Sequence, residues 1–346
     1  MKWNARCAGL LVVGLCLTTV ALYGQSDPDP KMVVAKVGGE NLTMADLQQK
    51  EGGKLLQAEY QYYLNKRKAL EDLIDGQLLA NEARRRNISL DQLLEVEVYK
   101  GVKDPTEDQL QVYYEGLDTQ EPYESVRPDV LQHIRDLRRN KARAAYVENL
   151  RKQANIDVLL MPPAADVNIA KAYTKGSQDA PVVLVEFADY ECPYCQKVNT
   201  QIQQLKKDYG DKIAIVYKDF PLPMHHSAEK AAEAARCAGE QGKFWEYHDV
   251  LFYSRQIEVD ALKEHARVLK LDGDRFDTCL DNGTQAAAVK KDLEEGKSMG
   301  LTGTPSFFAN GHFFSGVIDY ATLRDMVNQQ LNLAASSHLK QQVSQR

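Results

Sequence analysis

The sequence has no surplus of positive charge, few cysteines and no nucleotide or metal motif, and each shortage removes a class of function. Lys and Arg number 43 against 49 Asp and Glu, a formal net charge of −6, so nothing offers to neutralise nucleic-acid phosphates. No Gly-rich phosphate loop and no metal-binding pair of histidines occurs in the 346 residues, which leaves cofactor chemistry without a binding motif. Cys192 and Cys195 are not joined by a second close pair of cysteines, and two sulfurs fall short of the four ligands of a structural zinc. Neither a cofactor nor a metal is expected.

Extended apolar runs are also scarce. One stands out, Cys7 to Leu22, which follows Lys2 and Arg6 and gives way to the polar, Pro-rich "GQSDPDP". A positive start, about 15 apolar residues and a polar exit describe an export signal. The run is shorter than the ~20 residues that comfortably span a bilayer. The expected signal covers residues 1–24, with cleavage near Gly24; "ALYG" matches the A-x-A pattern poorly and leaves a retained membrane anchor open. Neither Cys7 nor Cys16 follows a convincing lipobox. Cleavage would leave Cys192, Cys195, Cys237 and Cys279, an even number that suits a periplasmic or other extracytoplasmic, oxidising compartment. A composition of 44% hydrophobic and 27% charged residues is that of a folded, water-facing chain long enough for two domains.

What is present changes character halfway. Residues 31–160 read as a mostly α-helical domain. "VVAKVGGENLT" suggests a small hairpin around Gly38-Gly39, followed by a short helix from Thr43. "KALEDLIDGQLLANEARRRN" puts Leu70, Leu73, Ile74 and Leu78 at helical spacing, with Asn87 as a stop. Another helix is expected from Ser89, and Thr106 with Gln109 forms a capping box. A long helix over 128–154 should carry Val130, Ile134, Leu137 and Leu150 inward and the basic "RDLRRNKAR" outward. "IDVLL" reads as a closing strand, and "MPPAAD" opens a linker over 161–174. With "LIDGQLLANEARRRNISL", "PTEDQLQVYYEG" and "ENLRKQANIDVLL", this half resembles the N-terminal helical domain of SurA-type periplasmic chaperones. It departs from that family between Gly116 and Pro128, where a short polar segment stands in place of a parvulin prolyl-isomerase domain. The resemblance implies a groove for unfolded chains or a dimerisation arm; a plain helical scaffold is the alternative.

Residues 175–335 follow a different period, with a polar tail at 336–346. "APVVLVEF" and "DKIAIVYKDF" are apolar runs of strand length, and Pro193 to Tyr209 reads as a helix between them, a βαβ unit with parallel pairing. Helical stretches follow at about 225–255, 258–270 and 274–300. "PSFFANGHFFSG" then carries an Asn-Gly hairpin signal, and a helix runs from about Tyr320 to Leu333. In "QGKFWEYHDVLF", Phe244, Trp245, Tyr247 and Phe252 form an apolar face for the core of the helical insertion. The fold class is α/β, thioredoxin-like, with an inserted helical subdomain, preceded by the mostly α-helical domain.

The chemistry sits in "DYECPYCQKV". Cys192 falls where strand gives way to helix, over the unpaired N–H groups of the first turn, whose partial positive charge favours a thiolate. It is expected to be acidic and exposed, a nucleophile toward disulfides. Pro193 loses no hydrogen bond at the first helical position, and Cys195, one turn deeper, can resolve a mixed disulfide. Glu186, six residues before Cys192, turns inward by strand alternation; buried, it would hold its proton and could serve Cys195 as an acid–base partner. Thr304-Pro305, before the last strands, is a candidate cis peptide bond.

"PVVLVEFADYECPYC", "YKDFPLPMHHSAEKAAEAARCAGEQGKFWEYHD" and "GLTGTPSFFANG" together resemble the DsbA-like thiol–disulfide oxidoreductases of the thioredoxin superfamily, over about 160 residues. The resemblance implies Cys192 as attacking thiol, Cys195 as resolving thiol, Glu186 as the acid and a cis bond at Thr304-Pro305. It also places His225 in a recurring "PLPMH" element, with a structural role equally open. Cys237 and Cys279, 42 positions apart, form a structural disulfide or remain two buried thiols; spacing alone does not decide.

The expected function is a periplasmic thiol–disulfide oxidoreductase with net oxidation of folding substrates. The alternatives are a disulfide isomerase or reductase with its own chaperone arm, or a chaperone-type binding module on a non-catalytic scaffold. Expected partners are unfolded exported proteins, a membrane redox partner of the DsbB kind, and a second copy in a homodimer; nucleic acid is not among them.

Overall fold

The computed structural model describes residues 29–316 and 318–344; the expected signal at 1–24, with Cys7 and Cys16, lies outside them. The chain divides into two compact units between Lys50 and Glu51. In the first, β1 (Val33–Val37) pairs antiparallel with β2 (Glu40–Thr43). Gly38 and Gly39 join them at φ +59° and +90°, a two-residue turn with both central residues in the left-handed region, where glycine is unstrained.

α1 (Met44–Arg85) is a single helix of 42 residues, where the sequence pattern implied a short helix and a separate later one. Leu56, Tyr60 and Tyr63 are spaced i, i+4, i+7 and buried. Covering that stripe carries the helix through a stretch that Gly52 and Gly53 would otherwise weaken. Past Arg85 the chain turns at Asn87, φ +56°. α2 (Leu90–Leu93) opens with a reciprocal Ser89–Gln92 capping box and runs into a π-turn to Tyr99; α3 (Glu107–Glu115) opens with the expected Thr106–Gln109 box.

α4 (Tyr123–Gln153) begins before Pro128, which lies inside it. The carbonyl that Pro128 leaves unpaired belongs to exposed Glu124, where water can satisfy it. Two expected inward residues face out: Leu73 is 68% exposed and Leu137 51%. The helices of this half meet instead through a narrow seam of Leu79, Ala83, Leu93 and Val147. "IDVLL" forms no strand; the Gln329 side chain donates to the carbonyls of Val158 (2.7 Å) and Leu160 (3.2 Å) in place of a ladder partner.

The second half is built on one five-stranded sheet in the order β3-β5-β4-β6-β7. β4 (Val182–Ala188) and β5 (Ile213–Asp219) are parallel and joined across α5 (Pro193–Tyr209). Both are almost wholly buried, as central strands covered on two faces must be. β3 (Tyr173–Lys175) lies antiparallel on β5, and the hairpin of β6 (Ser306–Ala309) and β7 (His312–Ser315) lies antiparallel on β4. Residues 161–174 are not a free linker: Ala164 bridges to His312 and Tyr173 opens β3. The helical insertion comprises α6 (Ala228–Gly239), α7 (Phe244–Ser254), α8 (Val259–Val268), α9 (Gly273–Asp281) and α10 (Ala286–Ser298). α11 (Tyr320–Ser344) closes the chain and continues past Leu333 through the expected polar tail. Among the described residues no helix is long and apolar enough to cross a membrane.

α1 enters the core of this half. Leu56, Tyr60 and Tyr63 pack in one apolar cluster with Val185, Phe187, Phe308 and Phe313, and the Tyr60 hydroxyl accepts from Ser315 N (3.0 Å) and donates to Ser315 O (3.3 Å). Cys237 on α6 and Cys279 on α9 are joined as a disulfide, with Cα atoms 5.9 Å apart. Replacing both with Ala is expected to lower unfolding free energy by roughly 3–4 kcal/mol, by freeing the closed loop. Denaturant unfolding should register that loss while leaving the titration of Cys192 unmoved.

Candidate active site

β4 delivers Asp189 to Cys192 to the mouth of α5, and Cys192 is that helix's N-cap, with Pro193 at its first position. The first-turn N–H groups of Tyr194 and Cys195 act on the Cys192 sulfur. Thr304–Pro305 is a cis peptide bond in the loop before β6, and the Thr304 carbonyl lies 3.4 Å from Cys192 Sγ. That loop covers the sulfur. Cys192 is 3% exposed and Cys195 0%, so the expectation of an exposed Cys192 is corrected.

The acidity of Cys192 is nonetheless as its position suggests. Its pKa falls to about 5. The largest cause is the hydrogen bond from the Cys195 thiol; burial opposes it, and the Thr304 side chain and the N–H groups of Cys195 and Tyr194 add to it. Cys195 is pushed well above the ordinary thiol value by burial first, then by its bond to Cys192 and the charge of Glu186. The pair is therefore split into a ready thiolate and a reluctant thiol, the division that exchange requires.

Glu186, fifth of seven residues in β4, is turned inward and is 2% exposed. Burial, reinforced by the charge of Cys192, lifts its carboxyl to about 8, so it carries a proton at neutral pH. Its Oε1 has no hydrogen-bond partner among the described residues. It lines a cavity of about 350 Å³ together with Lys175, Asn199, Ile202, Ile215, Trp245 and His248.

Two groups escaped the sequence reading. Asp189 is buried and gathers three donors: Glu191 N (2.7 Å), Leu222 N (2.8 Å) and His225 Nδ1 (2.7 Å). It ties the cysteine loop to the "PLPMH" segment, and so gives His225 a structural partner. Burial works against charge on His225, but the bond and charge of Asp189 outweigh it and raise its pKa. His248 is buried, accepts from the Tyr190 hydroxyl (3.1 Å) and is held neutral by burial, with a pKa of about 3. The signal was available, since Phe244, His248 and Phe252 stand at i, i+4 and i+8 on the buried face of α7. Among the described residues no cluster of three or more His, Cys, Asp or Glu could hold a metal ion.

Residues 170–329 match the family model described as Thioredoxin. The chain is 35% identical over 170 residues to the Na(+)/H(+) antiporter NhaA 3 of Salinispora tropica, a match covering 49% of this chain and 26% of that protein. It thus spans about a quarter of the length of the curated relatives it matches. Oxidised BdbD from Bacillus subtilis is 25% identical with a TM-score of 0.45, over 49% of this chain and 97% of that one. A thioredoxin-like oxidoreductase from Silicibacter pomeroyi DSS-3 is 28% identical with a TM-score of 0.42, over 46% and 91%.

In the reduced protein, thiolate absorbance should appear with a midpoint of about 5 and vanish in Cys192→Ser. Stability carries the signs of both shifts. Cys192 lies below its ordinary 9.0, so its contribution is present above that value and is lost as pH falls to about 5. Glu186 lies above its ordinary 4.5, so its contribution is present below 4.5 and is lost as pH rises through about 8. Cys192→Ala removes the first contribution and the part of the second that the Cys192 charge adds: its unfolding free energy should still fall as pH rises above 4.5, and adding Glu186→Gln should make that slope shallower.

Proposed function

We propose that this chain, which carries a thioredoxin-family domain at residues 170–329, exchanges disulfides with other proteins through Cys192 and Cys195. One observation carries the reading: Cys192 is the N-cap of the helix whose first turn carries Cys195, a place that lowers the pKa of the first sulfur while burial raises that of the second. In the oxidising direction, a substrate thiolate attacks Cys192 Sγ of the 192–195 disulfide and forms a mixed disulfide. Cys195 leaves as a thiolate and takes the proton that Glu186 holds. A second substrate thiolate then attacks the substrate sulfur and releases Cys192 as a thiolate. The substrate dithiol loses two electrons and two protons and gains one disulfide. The protein gains the two electrons and one proton, which restores Glu186 after it has protonated Cys195, and the other proton goes to solvent because Cys192 ends as a thiolate.

Net oxidation is the favoured direction. Every interaction that holds Cys192 as an anion stabilises the reduced protein, and a stabilised reduced form makes a stronger oxidant. A membrane redox partner would accept the electrons, and exported proteins would supply the thiols, consistent with the signal-like start and the paired cysteines at 237 and 279. The helical arm, by its likeness to SurA-type domains, would hold unfolded chains or a second copy near the site.

With Cys195→Ala, mixed disulfides through Cys192 should accumulate on exported proteins and collapse on reduction, whereas Cys192→Ala should trap none. Absence of trapping in the first variant would leave only a scaffold. The reduction potential of the 192–195 pair sets direction: the expected value lies nearer to about −120 mV, as in DsbA, than to about −270 mV, as in thioredoxin. A value at the lower end would make the protein a reductase or isomerase.

A further inference from the structure

α1 touches the catalytic loop by backbone, not only by side chains. Gly53 lies so close to the end of α10 that a Cβ there would stand 2.6 Å from Ser298 O and 2.8 Å from Gly300 Cα, distances that real Cβ atoms do not reach. Gly300 is constrained twice. It sits at φ +74°, where it ends α10 in the left-handed conformation, and the Leu301 N–H returns to Gly296 O at 3.0 Å. On either side, Met299 and Leu301 are buried in the same apolar cluster as Leu56, Tyr60 and Tyr63 of α1. Four residues beyond Gly300 stands Thr304, whose carbonyl lies against Cys192. The Thr304 hydroxyl is buried with no other partner among the described residues, and the Thr304 side chain is one of the groups that hold the Cys192 pKa down.

We infer that α1 is a positioning element of the exchange site: the Gly53–Gly300 contact fixes the loop at 299–305 and with it the Thr304 groups that meet Cys192. The inference rests on the thiol–disulfide reading above. It makes the helical arm part of the active machinery and not a detachable handle. A side chain at position 53 must push the loop, and Thr304 with it, away from the sulfur. The adjacent Gly52 provides the control, because a Cβ there meets nothing within 4 Å and alanine only favours the helix.

The experiment compares full-length reduced Gly53→Ala and Gly52→Ala by thiolate absorbance against pH, and by the rate of reaction with oxidised glutathione near pH 5. Gly53→Ala should move the Cys192 midpoint up by about one pH unit, a tenfold loss of thiolate below it, with a matching fall in rate; Gly52→Ala should track the wild type. A Gly53→Ala protein that melts earlier but titrates like the wild type overturns the inference, since packing alone would account for the contact. Should Gly53→Ala not fold, Leu56→Ala withdraws apolar support from the same loop without intruding on it. The same upward shift is then expected, and an unmoved midpoint is fatal to the inference. A wild type with no low midpoint removes the exchange reading and this inference together, whereas a wild-type midpoint near 5 with two indistinguishable glycine variants removes the inference alone.

Discussion

Three acids compete within one buried space between β4 and α5. Glu186, Cys192 and Cys195 are each nearly or fully buried, so each charge raises the cost of the next. Cys192 wins because it alone faces the donors at the start of a helix, with the Cys195 thiol donating to it. The other two keep their protons first because they are buried, and the charge of Cys192 adds to that; a protonated carboxyl and a protonated thiol are what a leaving sulfur and its acid need to be.

The loop over Cys192 is held from two sides. From α1 come Gly53 and the buried stripe of Leu56, Tyr60 and Tyr63. From behind the sheet comes a buried ion cluster: Lys218 of β5 donates to Asp292 (2.9 Å) and Glu295 (2.8 Å) of α10, and Arg236 of α6 binds Asp219 and Asp292. Burial lifts the Asp219 carboxyl to about 6 in spite of Arg236, a sign of how little water reaches the cluster. Such groups are tolerated in a core when each charge is paired. Their mechanical effect is to lock α10, whose last residues become the Thr304 loop.

Much of this was legible in the residues. The βαβ unit, the Asn310-Gly311 hairpin and the Thr106–Gln109 capping box follow local rules of period, turn chemistry and hydrogen-bond reach. Glu186 was found by strand alternation, and the pair Cys192 and Cys195 by its place at a strand–helix junction. What failed to show was non-local. The union of two expected helices into α1 depends on partners more than 200 positions away, such as Phe313 against Tyr60. Leu73 and Leu137 obey helical spacing but find no neighbour, because spacing says which residues share a face and not whether anything covers it. Cys192 looks exposed to any rule that reads one segment at a time; the cover is Thr304, 112 positions on. The pairing of Cys237 with Cys279 likewise needed coordinates.

The bond between Tyr60 and Ser315 spans 255 positions of the chain. During synthesis, proteins emerge from their N-terminal end, so Leu56, Tyr60 and Tyr63 are among the earlier residues to appear and Met299, Phe308 and Phe313 among the later. Until those arrive, the apolar stripe of the helix stays open to water and to other chains. The newborn polypeptide therefore carries its own sticky surface uncovered, and the contact between Cys192 and Thr304 can form only once the C-terminal hairpin region is made.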